Sequence, residues 1–198
     1  MRKNIFNPVV TAFSLLALSA GLALGQSQTN ETLRVLEVKA SDALKKQYET
    51  DVKAAKLTGV LDGIEKNVCE GIDDTHKFTV LSRFLKSAGG EQALSGDYTL
   101  LAAKYVLDTT VTEFEYDRTD VPISETGQVA AQCTIRLSGK AEFKKPNGLT
   151  ANANFEVSTN FSEMINPKNV RSKKVGDDLL RAAAREAANQ IVRKVVSK

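Results

Sequence analysis

The stretch QVAAQCTIRLSGKAEFKKPNGLTANANFEVSTNF, residues 128–161, decides the fold because it predicts two long strands joined by a tight turn. Apolar or small residues occupy every second position, which is typical of strands with one buried face. The alternating residues are Val129, Ala131, Cys133, Ile135, Leu137, Gly139, Ala141 and Phe143, then Leu149, Ala151, Ala153, Phe155, Val157, Thr159 and Phe161. The sequence therefore predicts a late antiparallel hairpin.

The turn between these strands sets their register. A three-residue loop over 146–148 pairs Phe143 with Ala151, so that the two apolar faces match. A two-residue Asn-Gly turn would pair Phe143 with Asn152 and bring opposite faces together. Pro146 suits the second position of a type I turn, and Gly148 suits the left-handed position after it. The longer loop is therefore predicted, and it makes three more pairs: Leu137 with Val157, Gly139 with Phe155, and Cys133 with Phe161.

Three earlier strands are predicted, over 32–41, 78–83 and 104–118. The alternation in the third slips near Glu113, which indicates a β-bulge. Helices are predicted within 42–72, either throughout or after a loop over 42–50, and over 82–94, with a short helical turn over 97–103. Residues 117–127 are predicted as an exposed loop, and this loop and the glycines of helix 82–94 are candidate contact regions.

Residues 176–198 predict a C-terminal helix. Its apolar stripe is mostly alanine, so this helix can lie close to a sheet. The stripe comprises Leu180, Ala183, Ala184, Ala187, Ala188, Ile191 and Val195. The predicted order β, α, β, α, β, β, β, α indicates an α/β fold: a layered sandwich with a mixed sheet, parallel early and antiparallel late.

The first 25 residues have the features of a secretory signal peptide. Arg2 and Lys3 precede an apolar run, and a small residue at each end of Ala23–Gly25 marks a cleavage site. Residues 26–32 are predicted as a disordered linker, and residues 33–198 as a single domain. No cysteine follows LALG, so a lipid anchor is not expected. These features predict a periplasmic protein.

The charge balance excludes a polyelectrolyte partner. Without Arg2 and Lys3, the 27 basic residues fall to 25, against 24 acidic ones. A nearly neutral chain without a long basic run is not expected to bind nucleic acid. No cofactor and no metal site are expected, because the two cysteines and the single His76 are scattered along the sequence.

Cys69 and Cys133 leave two alternatives open. An oxidising compartment allows a disulfide between them. Both can also be small buried residues, since free cysteine is among the most buried residue types. The sequence does not decide between the two.

No catalytic residue is predicted. The glycines 89, 90 and 96 lack the lysine of a phosphate-binding loop, and Asp97 would repel an anion. His76 is expected in a loop. Glu113, Glu115 and Asp117 share one strand face, where two carboxylates could perform acid–base chemistry or, more simply, form a solvated surface. The simpler interpretation is preferred.

Residues 78–111 contain a distinctive order of segments: a strand ending in arginine, a helix with a Glu-Gln pair, a Ser-Gly segment and a second strand. The residues that define this order are Phe78, Val80, Arg83, Glu91, Gln92, Ser95, Gly96, Ala103, Tyr105, Val106 and Val111. In these residues the chain resembles a bacterial envelope family, the one that includes the curli secretion lipoprotein (CsgG-like) and the lipoprotein activators of penicillin-binding proteins (LpoB-like). The resemblance covers Thr32 to Val196. The chain lacks the lipid-anchoring cysteine of the family's best-known members.

This resemblance implies a fold like the N-terminal domain of TolB. It also implies a non-enzymatic adaptor or assembly factor whose partners are envelope proteins, such as a peptidoglycan synthase or secretion components. Peripheral outer-membrane association and an oligomer are both compatible with it. The alternatives are an oligomeric outer-membrane export component of the curli type and a periplasmic hydrolase using Glu113 and Glu115. The connections at 117–127 and 145–148 are too short for membrane-spanning hairpins, so a soluble relative is expected rather than a pore.

Overall fold

The protein forms a six-stranded mixed sheet with helices packed against it. The structure is a computed structural model that describes residues 31–48, 53–84, 103–165 and 174–197. The elements are β1 Glu31–Val35, β2 Lys39–Ala40, α1 Asp42–Tyr48, α2 Lys53–Asp73, β3 Phe78–Leu81, β4 Tyr105–Ile123, β5 Gln128–Lys144, β6 Thr150–Ile165 and α3 Lys174–Val196. The predicted layered α/β fold with a C-terminal helix is confirmed.

The strand order is β3-β1-β4-β5-β6, with β2 also pairing with β4. β1 runs parallel to both β3 and β4, whereas β4, β5 and β6 form an antiparallel meander. The parallel pairs require crossovers, and α2 provides the one between β1 and β3. The prediction of an early parallel part and a late antiparallel part is confirmed.

The β5–β6 hairpin has the predicted register. Phe143 pairs with Ala151, Leu137 with Val157, and Cys133 with Phe161. The turn ends at Gly148, whose φ of 79° is in the left-handed region that favours glycine. A Cβ at Gly139 would lie 2.5 Å from Cζ of Phe155 and would also clash with the carbonyl oxygen of Thr110. The ring of Phe155 therefore covers the bare backbone of Gly139, as the pairing predicted.

β4 contains the predicted bulge but ends later than predicted. The register shifts between Val111 and Glu113. The prediction of a loop over 117–127 is wrong, because β4 continues to Ile123 and pairs with β5 along that length. Pro122 is tolerated since β1 and β2 pair with β4 only as far as Val111, which leaves one side of the later part as a sheet edge.

The N-terminal boundaries also differ from the prediction. β1 begins at Glu31, which pairs with Phe78, so the last two residues of the predicted 26–32 linker belong to the sheet. The alternative of a loop over 42–50 is wrong for α1, which is helical from Asp42 to Tyr48. The predicted helix 82–94 beyond Phe84 and the turn over 97–103 lie almost wholly outside the described residues.

α2 and α3 pack side by side through small residues. A Cβ at Gly63 would lie 3.1 Å from Cβ of Ala184, and a Cβ at Gly71 would lie 3.1 Å from Val192. From the first contact to the second, the residue number rises by eight on both helices, so the two helices run parallel. Every member of the predicted α3 stripe is buried. None of the helices within the described ranges combines the length and apolarity needed to cross a bilayer.

Candidate functional site

The antiparallel sheet extends beyond the described helices at one end. α3 begins near Tyr116, where a Cβ on Gly176 would clash with the phenolic oxygen, and Lys56 near the start of α2 lies 3.4 Å from the centroid of the same ring. Past this level the strands continue through 117–133 and 160–165, which we call the sheet overhang. β4, for example, continues for seven residues beyond Tyr116, which is about 23 Å at the usual rise per residue.

Large apolar side chains are exposed on the sheet overhang. Phe161 and Val121 are each 42% exposed, and Met164 is 51% exposed. Val121 and Met164 both pair with Ala130, so they lie in one row across three strands. Phe161 was expected to be covered because it pairs with Cys133 on the helix face. It is instead exposed, although Cys133 beside it is buried, because β6 is the outermost strand of the sheet.

The overhang also contains an unpaired strand edge. β6 is the last strand of the sheet. Near its middle, Gln190 of α3 accepts a hydrogen bond from the backbone N–H of Glu156 (3.1 Å) and donates one to its carbonyl (3.0 Å). Lys194 donates to the carbonyl of Asn154. These contacts show that the backbone of Glu156 faces away from β5.

Alternation along the strand extends this inference toward the overhang. Ser158, Asn160, Ser162 and Met164 share the orientation of Glu156, so their N–H and C=O groups also point outward. Within the described ranges, no residue forms a hydrogen bond with these outward groups. We call Val157–Ile165 the open edge.

The opposite side of the overhang is protected. β4 has no described strand partner there beyond Val111. However, its later part contains several charged residues and Pro122, which are the usual devices against edge-to-edge pairing. The charged residues of β4 within the overhang are Asp117, Arg118 and Asp120. The open edge contains a single charged residue, Glu163. Of the two edges, only the one on β6 is suited to accept another strand.

A buried ion pair fixes the carboxyl ends of the parallel strands. Glu65 of α2 is 1% exposed and accepts two hydrogen bonds from Arg83, to Oε1 and Oε2, each 3.0 Å long. Glu65 also accepts from the backbone N–H of Val38 at 3.2 Å, and Arg83 pairs with Asp62 at 2.7 Å. The hydrogen bond with Glu65 raises the pKa of Arg83. This cluster joins α2 to the ends of β1 and β3 and is structural.

Both cysteines are buried free thiols, which is the second alternative that the sequence left open. Cys69 of α2 lies next to Ser82, and burial raises the pKa of its thiol to about 12, while the hydrogen bond with Ser82 lowers it in part. Cys133 lies on β5 beside Tyr116, whose pKa is raised, first by its own burial and then by Cys133. No bridge joins Cys69 and Cys133 in this structure.

The other residues considered for chemistry lie apart from one another. His76 is exposed in a turn, with a φ of 54°, and its N–H donates to the carbonyl of Asp73. Glu113 accepts from Ser138 at 3.0 Å and Glu115 from Arg136 at 3.4 Å, both on the uncovered face of the sheet. Glu113 and Glu115 therefore each contact a polar side chain of the neighbouring strand β5.

Several residues that carry the family resemblance lie outside the described ranges, namely Glu91, Gln92, Ser95 and Gly96, and so do Gly89 and Gly90. Of the others, Val80 is buried in β3 and Val111 in β4. Tyr105 stacks on Phe143 with ring centroids 5.3 Å apart. The described part of the resemblance therefore consists of core and sheet residues, together with Arg83 and Ala103.

Comparisons with known proteins complete the description. No protein-family model and no curated protein matches the chain. Among solved structures, it is similar to a minor lipoprotein from Acinetobacter baumannii (13% identity, 85% of this chain and 92% of that one, TM-score 0.36). It is also similar to rare lipoprotein B from Shewanella oneidensis (15%, 83% and 94%, 0.40) and to a lipoprotein from Neisseria meningitidis (16%, 82% and 99%, 0.36). The structures that this chain is similar to thus include bacterial lipoproteins, and its likeness to the curli secretion protein remains a prediction.

Proposed function

We propose that this protein is a non-enzymatic adaptor or assembly factor of the cell envelope that binds a partner protein through the open edge of β6. The open edge itself carries the proposal. An extended segment of the partner would add a strand there, with backbone hydrogen bonds providing affinity. Phe161 and Met164 would contact the side chains of the added strand and contribute apolar burial.

The periplasmic location rests on the signal peptide predicted at 1–25. The class of partner rests on the resemblance of residues 78–111 to envelope assembly proteins. Within that class, a peptidoglycan synthase or a secretion component is the expected partner. Each would have to offer an extended segment with alternating apolar side chains, because one face of an added strand would meet Phe161 and the other Met164.

The placement of reactive groups supports a role without catalysis. The thiol of Cys69 is buried, and its raised pKa keeps it protonated at neutral pH. Glu113 and Glu115 have hydrogen-bond partners on an open sheet face, where water is not excluded. Such a face lacks the low-dielectric surroundings in which paired carboxylates become effective acids and bases.

A proline substitution in the open edge tests the proposal. Asn160→Pro removes one outward N–H group and leaves the hydrogen bonds of β6 to β5 intact, so the fold should survive. Asn160→Ser is the matched control, since it changes the side chain and keeps the N–H group. A photocrosslinking residue at Ser162, used in living cells, would capture the added strand.

We expect one covalent adduct with an envelope protein when the crosslinking residue at Ser162 is the sole change and when it is combined with Asn160→Ser, and loss of the adduct when it is combined with Asn160→Pro. An adduct that persists in Asn160→Pro would contradict strand addition at this edge. Adducts formed only between two copies of this chain would favour the oligomeric export component instead.

A further inference from the structure

A second surface, separate from the open edge, lies between α2 and α3. A groove of about 850 Å³ runs between the two helices and reaches β4 at Tyr116 and Arg118. We call it the α2–α3 groove. On α2 it extends from Ala55 to Glu70, which is about 22 Å of helix. An extended peptide of about seven residues has this length.

Small residues make the groove open along its length. Gly59 and Gly63 of α2 and Ala184 of α3 are among its lining residues. A Cβ at Gly59 would meet no atom within 4 Å, so the space above this residue is empty. The parallel helices therefore leave a channel whose walls are the longer side chains on either side.

Those longer side chains are mainly cationic. Five basic residues line the groove, against the two acidic residues Glu70 and Asp177; the basic residues are Lys56, Lys66, Arg118, Arg181 and Arg185. The mature chain as a whole is nearly neutral, so this excess is local. The N-terminal ends of two parallel helices lie near the same end of the groove and add their partial positive charges.

Two of the five cations have close partners: Nε of Arg118 lies 3.0 Å from Oδ1 of Asp120, and Lys56 lies against the ring of Tyr116. The other three are only weakly neutralised by the described residues. Lys66 lies 3.9 Å from Glu70, and Arg181 lies 3.3 Å from Asp178; both are exposed pairs of the kind that contribute little. Arg185 forms no ion pair with any residue in the described ranges. Arg181 and Arg185 are four residues apart on one helix, so their guanidinium groups project from the same face.

We propose that the α2–α3 groove binds an acidic, extended peptide segment of a partner protein. The cations are distributed along both walls rather than converging on one point, which matches carboxylates spaced along a chain better than a single phosphate. Guanidinium groups bind carboxylates through paired hydrogen bonds. Glu70 and Asp177 would repel an unbroken run of acids, so the preferred segment alternates acidic and neutral residues.

Binding of a defined peptide tests this proposal on the mature chain. The probe is a fluorescein-labelled peptide of five Glu-Ala repeats, compared with the Gln-Ala version by fluorescence anisotropy. Arg185→Glu reverses a charge in the groove. Arg193→Glu is its matched control, because it makes the same charge change on the same helix outside the groove. Gly59→Leu fills the channel without changing any charge.

We expect the Glu-Ala peptide to bind more tightly than the Gln-Ala peptide. Its binding should weaken as the salt concentration is raised. Arg185→Glu should weaken its binding about tenfold, as expected for the loss of one charge-assisted contact. Arg193→Glu should change it less than about twofold, and Gly59→Leu should weaken it. Circular dichroism would verify that each variant is folded.

Equal losses in Arg185→Glu and Arg193→Glu would overturn the proposal, since the attraction would then be non-specific. Unchanged binding by a folded Gly59→Leu variant would place the peptide elsewhere and would also overturn it. Tight, Arg185-dependent binding to phosphatidylglycerol vesicles without peptide binding would replace the acidic peptide by a lipid surface. Loss of the open edge through Asn160→Pro should leave peptide binding unaffected, so the two proposals fail independently.

Discussion

Replacing Arg83 by methionine tests whether the Glu65–Arg83 pair holds the parallel strands together. Methionine keeps most of the aliphatic length of arginine and removes its charge and its donors. Glu65, at 1% exposure, would then keep only the N–H group of Val38 as a partner in a buried position. A buried carboxylate without its cation is strongly unfavourable, because its desolvation is no longer compensated.

The magnitude follows from the exposure of the two partners. Removing one partner of a fully buried ion pair costs about 3–5 kcal/mol. Arg83 is 39% exposed, so water can partly replace it beside Glu65, and we expect about 2 kcal/mol for Arg83→Met. Asp62→Asn is the comparison at the solvent side of the same cluster. Because Asp62 is 49% exposed, its loss should cost less than about 1 kcal/mol.

The double variant tests whether the uncompensated charge of Glu65 causes the loss of stability. Adding Glu65→Gln to Arg83→Met removes the uncompensated charge and keeps an acceptor for the N–H group of Val38. The double variant should therefore be more stable than Arg83→Met alone, by about 1 kcal/mol. Urea unfolding followed by circular dichroism measures all four free energies. If the second substitution instead lowered stability further, or if Arg83→Met cost no more than Asp62→Asn, the reasoning would be refuted.

Three more predictions concern other parts of the fold. Gly139→Ala should lower the free energy of unfolding by about 2 kcal/mol, since the added methyl would overlap Phe155 and the Thr110 carbonyl; denaturant titration would measure this, and an unchanged midpoint would argue against the close contact. Gly148→Ala, at a φ of 79°, should cost about 1 kcal/mol by the same measurement and leave the hairpin register intact. The pKa of Cys69 is about 12 in the folded chain against 9.0 as its ordinary value, so its contribution to stability is complete below pH 9 and is lost as pH rises toward 12. Stability should therefore fall more between pH 8 and pH 10 in the unmodified chain than in Cys69→Ala, and equal losses would contradict this.

The late hairpin could be predicted residue by residue because its information is local. Alternation with a period of two identifies the buried face, and one Pro-Asn-Gly turn sets the register. The α3 stripe was predictable for the same reason, since one helix face carries the apolar residues. These elements would be recognised in any protein with the same local pattern.

The candidate site could not be predicted, because it depends on how distant elements are arranged. β4 continues through a polar segment that contains Pro122, and only pairing with β5 makes that segment a strand. Phe161 has the pattern of a core residue, and its exposure follows from its place on the outermost strand of the sheet. A glutamate in a helix, such as Glu65, is usually expected on the surface. Its burial depends on Arg83, which lies 18 residues away in the chain. The α2–α3 groove requires the parallel packing of two helices far apart in the chain.

The two hydrogen bonds between Gln190 and Glu156 have a consequence for how the chain folds. The amide of Gln190 both donates to and accepts from one β6 residue, as the backbone of a neighbouring strand would. Because α3 follows β6 in the chain, β6 can join β5 before this surrogate strand is present. During folding, the middle of β6 is therefore temporarily as open to pairing with another strand as its far end. Docking of α3 onto β6 therefore protects the middle of this edge from pairing with a second copy of the chain.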